Sequence, residues 1–159
     1  MIRPTLDTET EDLLAAAEST MVFKPIELAA LRELLDDLHA GHSGDHLAIT
    51  YELDGKAIGF AYYAPTAMTD RCWHLYWLFV PQEIRAKGIG TELLKYVESD
   101  IAKAGGRILL IETSGLPSYD LTRRFYLKHA YEQAATIRDF YSDGDDQMIF
   151  RKRLTSESG

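Results

Sequence analysis

A chain of 159 residues, 46% of them hydrophobic, can bury one sizeable core but not two, so a single domain over residues 1–154 is expected to carry the whole site. A net charge of −8 and a pI near 5.1 exclude the basic footprint of a nucleic-acid binder, and the lone Cys72 excludes an internal disulfide and fits a reducing compartment. No apolar run reaches the ~18 residues of a membrane span, and the opening MIRPTLDTETED lacks the basic-then-apolar order of a signal peptide, so no membrane and a cytoplasmic location are expected.

The elements follow in order. A short extended piece, residues 1–6, precedes Thr8 and Thr10, which stand ahead of acidic residues as helix caps usually do; Leu13, Leu14, Ala17 and Met21 then recur at helical spacing. A second helix is predicted from Pro25, with Leu28, Leu31, Leu34, Leu35 and Leu38 as its apolar stripe and Gly41 as its stop. Two β-rich runs flank Asp54-Gly55, a strong hairpin signal, and CWHLYWLFVP continues as a strand apolar on nearly both faces, hence central. Leu93, Leu94, Val97 and Ile101 make one face of a helix ending at Gly105-Gly106. RILLIETS is a buried strand reached by a parallel crossover, SYDLTRRFYLKHAYE reads as a helix, and AATIRDFYS and QMIFRKRL are strands joined by the acidic turn DGDD. The last residues, 155–159, are expected to be disordered.

Gly88 and Gly90 stand where glycine costs roughly 0.5–1 kcal/mol relative to alanine, immediately ahead of a good helical pattern. A strand, a loop and a helix start form an anion site, because first-turn N–H groups point outward and the macrodipole adds about half a positive charge. Arg85 and Lys87 reinforce it. A Walker loop would need a lysine after Gly90, where Thr91 stands, and a dinucleotide fingerprint would need glycine at position 93, where there is Leu93.

What fits is Arg85-Ala86-Lys87-Gly88-Ile89-Gly90, preceded by Val80-Pro81 and followed at the right distance by RRFYLKHAY. This resembles the Arg/Gln-x-x-Gly-x-Gly/Ala motif and the second motif of the GNAT family of N-acetyltransferases, and the order of elements matches from end to end. The resemblance implies an α/β fold of the α+β type: a mixed sheet of about seven strands flanked by helices, antiparallel at its start and splayed between its fourth and fifth strands. It implies acetyl-CoA as cosubstrate, its pyrophosphate on the amides of Arg85 to Thr91, its pantetheine arm along Leu78, Phe79 and Val80, and the Leu78 N–H polarising the thioester carbonyl. The acceptor is then a primary amine, expected on a small molecule or amino acid, with a protein N-terminus or lysine, or a noncatalytic acyl-CoA-binding module, as alternatives. A homodimer is common in such a family. Ala130 stands where the family often has glycine, and Tyr119 where it often has asparagine.

Acetyl transfer to an amine needs a neutral nucleophile, a stabilised oxyanion and a proton for the thiolate. Tyr126 matches the family tyrosine that reaches the cofactor sulfur and is the candidate acid, with a core tyrosine as the competing reading. His74, on the central strand beside Tyr76, and Glu112, in otherwise apolar LLIETS, are the candidate bases; either could instead face solvent at a strand end, and water could act alone. His39, His42, His46 and Asp45 lack a recognised ligand spacing, so no metal is expected. Cys72 reads as a small buried residue, and Tyr62, Tyr63, Trp73 and Trp77 as core residues or as parts of an acceptor pocket.

Overall fold

The structure, a computed structural model, describes residues 1–154, with the side chains of Arg85 and Ala86 excepted; the tail expected to be disordered lies outside the described residues. Among the described residues the helices and strands follow one another as β1 (Ile2–Pro4), α1 (Thr10–Glu18), α2 (Pro25–His39), β2 (Leu47–Leu53), β3 (Lys56–Pro65), β4 (Cys72–Phe79), α3 (Ile89–Lys103), β5 (Ile108–Ser114), α4 (Asp120–Lys128), β6 (Glu132–Ser142) and β7 (Asp145–Arg153). The strands make a seven-stranded sheet in the order β1-β2-β3-β4-β5-β7-β6, mixed as expected. Pairing is antiparallel for β1 with β2 and β2 with β3, parallel for β4 with β5, and antiparallel again for β5 with β7 and β7 with β6. The register of β4 on β5 takes in Cys72–Leu75 against Ile108–Ile111.

Two compact units divide the chain: residues 1–64 with 77–99, and residues 65–76 with 100 onward. In the first, α1 and α2 lay Leu13, Ala17, Leu31 and Leu35 onto Ala57 and Phe60 of β3 and onto Phe79, with Leu28, Leu34 and Leu38 at the margin. Each fully buried leucine contributes about 1.5–3 kcal/mol; the stripe read for α2 faces the core, whereas Met21, read with the first helix, is exposed and lies beyond its end at Glu18. The turn between β2 and β3 has both Asp54 and Gly55 at positive φ, 52° and 77°, the requirement of a two-residue hairpin loop. Gly59 marks where α3 comes down on β3: an added Cβ would lie 3.0 Å from a Leu93 methyl and 3.2 Å from the Tyr51 Cβ.

The first turn of α1 departs from the expectation. Thr10 is the first helical residue and neither Thr8 nor Thr10 caps the helix; Glu9 precedes it, buried, and does different work. Its carboxylate accepts from Arg3, from the Leu6 amide at 3.0 Å and from the Thr50 hydroxyl at 3.0 Å, while Arg3 also donates to Glu52 at 2.8 Å. This network ties β1 to β2 and to the helix entry. Burial alone would raise the Glu9 carboxyl, but Arg3, the Leu6 amide and Thr50 together hold it below the usual carboxylate range.

In the second unit Leu109, Ile111 and Phe150 are buried on β5 and β7. The helix read from SYDLTRRFYLKHAYE is shorter than expected. It forms as a 3-10 turn, Pro117–Tyr119, followed by α4, and it ends because Ala130 turns left-handed at φ 70° and Glu132 already begins β6. The acidic turn is tighter too: Asp145 and Asp146 belong to β7, and Gly144 at φ 82° makes the corner.

Candidate active site

The glycine-bearing segment lies in the first unit. Between β4 and α3 the chain makes a 3-10 helix, Gln82–Lys87, in place of an irregular loop, and Gly88 closes it at φ 79° and ψ 10°. That left-handed backbone is what requires glycine, and an added Cβ there would meet nothing within 4 Å. α3 starts at Ile89, so Gly90 is its second residue and does not precede it. The helix ladder opens with the Glu92 N–H donating to the Gly88 carbonyl at 3.1 Å, so the amides of Ile89, Gly90 and Thr91 come before it in the first turn. Over a helix of 15 residues these amides carry the positive end of the macrodipole. Gly88 and Lys87 are exposed, Gly90 and Thr91 half-buried, and Ile89 is buried with its side chain turned inward. The side chains of Arg85 and Ala86, named with them, lie outside the described residues.

Upstream, Phe79 and Val80 are buried. Phe79 packs edge-on to Trp77 at 6.5 Å and beside Phe60 at 5.5 Å, so the side chain is committed to the core and only backbone atoms remain for a ligand. Leu78 between them is half-buried. Tyr62 and Tyr63 are buried as well, and Trp77 is packed against the same core, which favours the core reading for these aromatics.

The second unit holds the candidate side chains, and it brings two of them together. His74 Nε2 lies 3.2 Å from Glu112 Oε1, the histidine side chain 15% exposed and the carboxylate 39%. Neither simply points into solvent. The His74 ring also stacks on Tyr76, centroids 5.4 Å apart and planes at 17°. Its other nitrogen, Nδ1, is 2.6 Å from the Thr66 hydroxyl. Glu112 Oε2 accepts from the Gln147 amide at 3.0 Å. The bond from His74 holds the Glu112 carboxyl below the usual carboxylate range against its partial burial, so it is ionised at neutral pH. An ionised carboxylate only accepts, so His74 donates to it from Nε2.

Thr66 and Gln147 escaped the sequence reading. Gln147 could have been suspected: β5 pairs Glu112 with Ile149, and Gln147 lies two residues before Ile149 on the same face and is buried. Nothing in the sequence links Thr66 to His74, because their contact depends on how the loop of residues 66–71 folds back.

Tyr126 is buried, its ring 5.4 Å from Phe125, 5.8 Å from Tyr131 and 5.9 Å from Phe150. Burial pushes the phenol far above its ordinary value, so it stays protonated through the neutral range and is a donor, never a base. Cys72 is buried and free. Among the described residues no three His, Cys, Asp or Glu side chains are grouped to hold a metal, and the His46 ring is hydrogen-bonded to the Tyr62 hydroxyl at 2.9 Å. No helix among them is long and apolar enough to cross a membrane.

Comparison with known proteins identifies the family. Residues 10–131 match the family model described as the acetyltransferase (GNAT) family. An uncharacterized N-acetyltransferase of Methanocaldococcus jannaschii is 32% identical over 111 residues, 68% of this chain and 67% of that one. A crystal structure assigned to the GNAT family as an acetyltransferase, from Desulfovibrio desulfuricans, superposes with a TM-score of 0.90 at 33% identity, covering 98% of this chain and 99% of that one. An aminoglycoside 6'-N-acetyltransferase complexed with coenzyme A shares the fold at a TM-score of 0.77 and 16% identity, over 99% of this chain and 98% of that one. The family uses acetyl-CoA, and the left-handed Gly88 with open space at its Cβ position, followed by the first-turn amides of α3, fits the phosphates of such a ligand. The chain belongs to the GNAT family of acetyltransferases and is an acyltransferase.

Proposed function

We propose that this protein transfers the acetyl group of acetyl-CoA to a primary amine of a small molecule or amino acid, within one domain over residues 1–154. Acetyl-CoA, when bound, supplies the acetyl group as a thioester. The amides from Arg85 to Thr91, with Gly88 and Gly90 keeping side chains out of the way, hold its pyrophosphate. The backbone of Leu78, Phe79 and Val80 takes the amide arm, with the Leu78 N–H directed at the carbonyl. Tyr126 donates the proton that the leaving thiolate needs, its phenol being protonated at neutral pH.

The observation that carries the reading is the His74–Glu112 pair. Both nitrogens of His74 are engaged, by Glu112 and by Thr66, whereas Glu112 is the more exposed partner and keeps lone pairs open to solvent. Glu112 therefore takes the amine proton, through water, and His74 holds Glu112 in place. The same carboxylate attracts an ammonium group before it is stripped. β6, last in the sheet order and exposed along all 11 residues, is the edge that a homodimer would cover, which sedimentation velocity reads directly.

An amine panel with free CoA release as the readout tests the reading. Turnover with at least one amine class is expected, and Glu112→Gln should lower kcat/KM by about 10²-fold, the low end of a general-base contribution. Acetyl-CoA binding without turnover on any amine would replace the enzyme with a binding module. Full activity in Glu112→Gln would move the base to water.

A further inference from the structure

We propose that Thr66 is a positioning residue of this acetyltransferase: its hydroxyl, held over β4 by a strained loop, orients the His74 ring so that Nε2–H points at Glu112. The proposal rests on the reading of Glu112 as the base. A neutral imidazole has one donor and one acceptor. With Nε2 donating to the carboxylate at 3.2 Å, Nδ1 is the acceptor, and the Thr66 hydroxyl at 2.6 Å is the donor that satisfies it. A hydroxyl can also turn round and accept. Thr66 therefore remains a partner when the ring is charged, which neither an amide N–H nor an ammonium could do.

The loop has no freedom to put Thr66 elsewhere. The Thr66 N–H donates to the Cys72 carbonyl at 2.7 Å, and the Thr66 carbonyl accepts from the Thr69 hydroxyl at 2.8 Å. Further along, the Arg107 N–H donates to the Arg71 carbonyl at 2.8 Å, and the Arg107 guanidinium donates to the Asp70 carbonyl at 2.7 Å. Two non-glycine residues in this loop are left-handed, Met68 at φ 64° and Arg71 at φ 55°. Such backbone costs about 1–2 kcal/mol per residue and persists only where surrounding bonds over-determine it. Met68 is fully exposed and buries nothing in return. Besides its bonds to Arg107, what this conformation gains is the placement of Thr66 on His74, on whose ring Tyr76 also stacks.

Thr66→Val keeps the shape and deletes the hydroxyl; Thr66→Ser keeps the hydroxyl. In the neutral form of the wild-type ring, 15N NMR should show His74 Nε2 protonated and Nδ1 as a hydrogen-bonded lone pair. Thr66→Val should move the Nδ1 resonance towards the unbonded position and lower kcat by about tenfold, the scale of one lost hydrogen bond, with the KM for acetyl-CoA within about twofold of wild type. Thr66→Ser should restore most of both. An unmoved Nδ1 resonance or an undiminished kcat in Thr66→Val, in an enzyme that turns over, overturns the positioning role alone, as does a Thr66→Ser as impaired as Thr66→Val. A wild type without turnover overturns the acetyl-transfer reading, and this proposal with it.

Discussion

The first unit's candidate residues work through backbone, the second unit's through side chains. Around Gly88 the candidate groups are the first-turn amides of a helix and a left-handed turn, and neighbouring Phe79, Val80 and Ile89 send their side chains into the core. Around His74 the useful groups are an imidazole, a carboxylate, a hydroxyl and a carboxamide, joined across 8, 38 and 35 residues of sequence. A backbone site must be written as absent side chains in consecutive positions. A side-chain site is written in scattered positions that only the fold brings together.

The largest expected effect tests the backbone half of this contrast. Gly88→Val would combine a blocked anion site with a strained turn, so Gly88→Asn is the sharper variant, because asparagine tolerates a left-handed backbone. It should fold normally. It should also lose acetyl-CoA affinity by about 10²-fold or more, since two charge-assisted hydrogen bonds of about 1.5–3 kcal/mol each would be displaced. Calorimetry giving wild-type affinity in folded Gly88→Asn would mean that the phosphates are held elsewhere.

Tyr126→Phe tests the side-chain half. The variant keeps the ring among Phe125, Tyr131 and Phe150 and removes only the donor, so stability should hold while kcat falls by about 10²-fold, the low end for a general acid. Because burial keeps the phenol protonated, the wild-type rate should show no loss from this group as pH rises to about 10, where an ordinary tyrosine titrates. A thioester whose thiol leaves more easily should recover part of the loss. Full activity with acetyl-CoA would assign Tyr126 to packing alone.

Glu9 can break the contrast, because it is a side-chain network inside the unit whose proposed ligand site is backbone. Its folded carboxyl is depressed, so its stabilisation is present above the unfolded carboxylate value of about 4.3 and is lost as pH falls through the lower folded value. Glu9→Gln should cost about 2 kcal/mol at pH 7, the scale of a hydrogen bond to a charged group, and that cost should shrink towards zero under acid. Urea melts at pH 7 and pH 3 measure both. A cost that does not change with pH would mean that shape, not charge, holds β1 in place.

Glu9 also marks the limit of what sequence reading reached. The helical stripe of α2, the hairpin at Asp54-Gly55, the central β4 and the crossover to β5 were legible because each is a local periodicity or a local φ requirement. The threonines near α1 do not cap it because Ser and Thr signal caps only on average, and here a part-buried ion pair of Glu9 with Arg3 takes over the helix entry. The family motif reached Gly88 and Gly90, and Glu112 drew notice as a charge in an apolar strand. Its distance to His74 and its bond from Gln147 are long-range contacts, and the Thr66 contact with His74, though only eight residues apart in sequence, depends on the fold of the loop between them.

Ala130, finally, is a backbone feature in the unit whose candidate site is made of side chains. It follows the last turn of α4 at φ 70°, with its own N–H on the Leu127 carbonyl at 3.2 Å and the Tyr131 N–H on the Tyr126 carbonyl at 3.1 Å, the pattern of a helix stop that glycine fills best. The glycine that the family resemblance implies here would satisfy that conformational requirement, and this chain meets it with a strained alanine. Removing the Cβ relieves about 1 kcal/mol, so Ala130→Gly should raise Tm by about 2–4 °C in a chain of this size. The Tyr126 ring, one turn back, keeps its neighbours, so kcat and acetyl-CoA affinity should not change. A lower Tm would show that the unfolded chain's gain in freedom outweighs the strain, and a changed kcat with unchanged Tm would place this stop in the positioning of Tyr126.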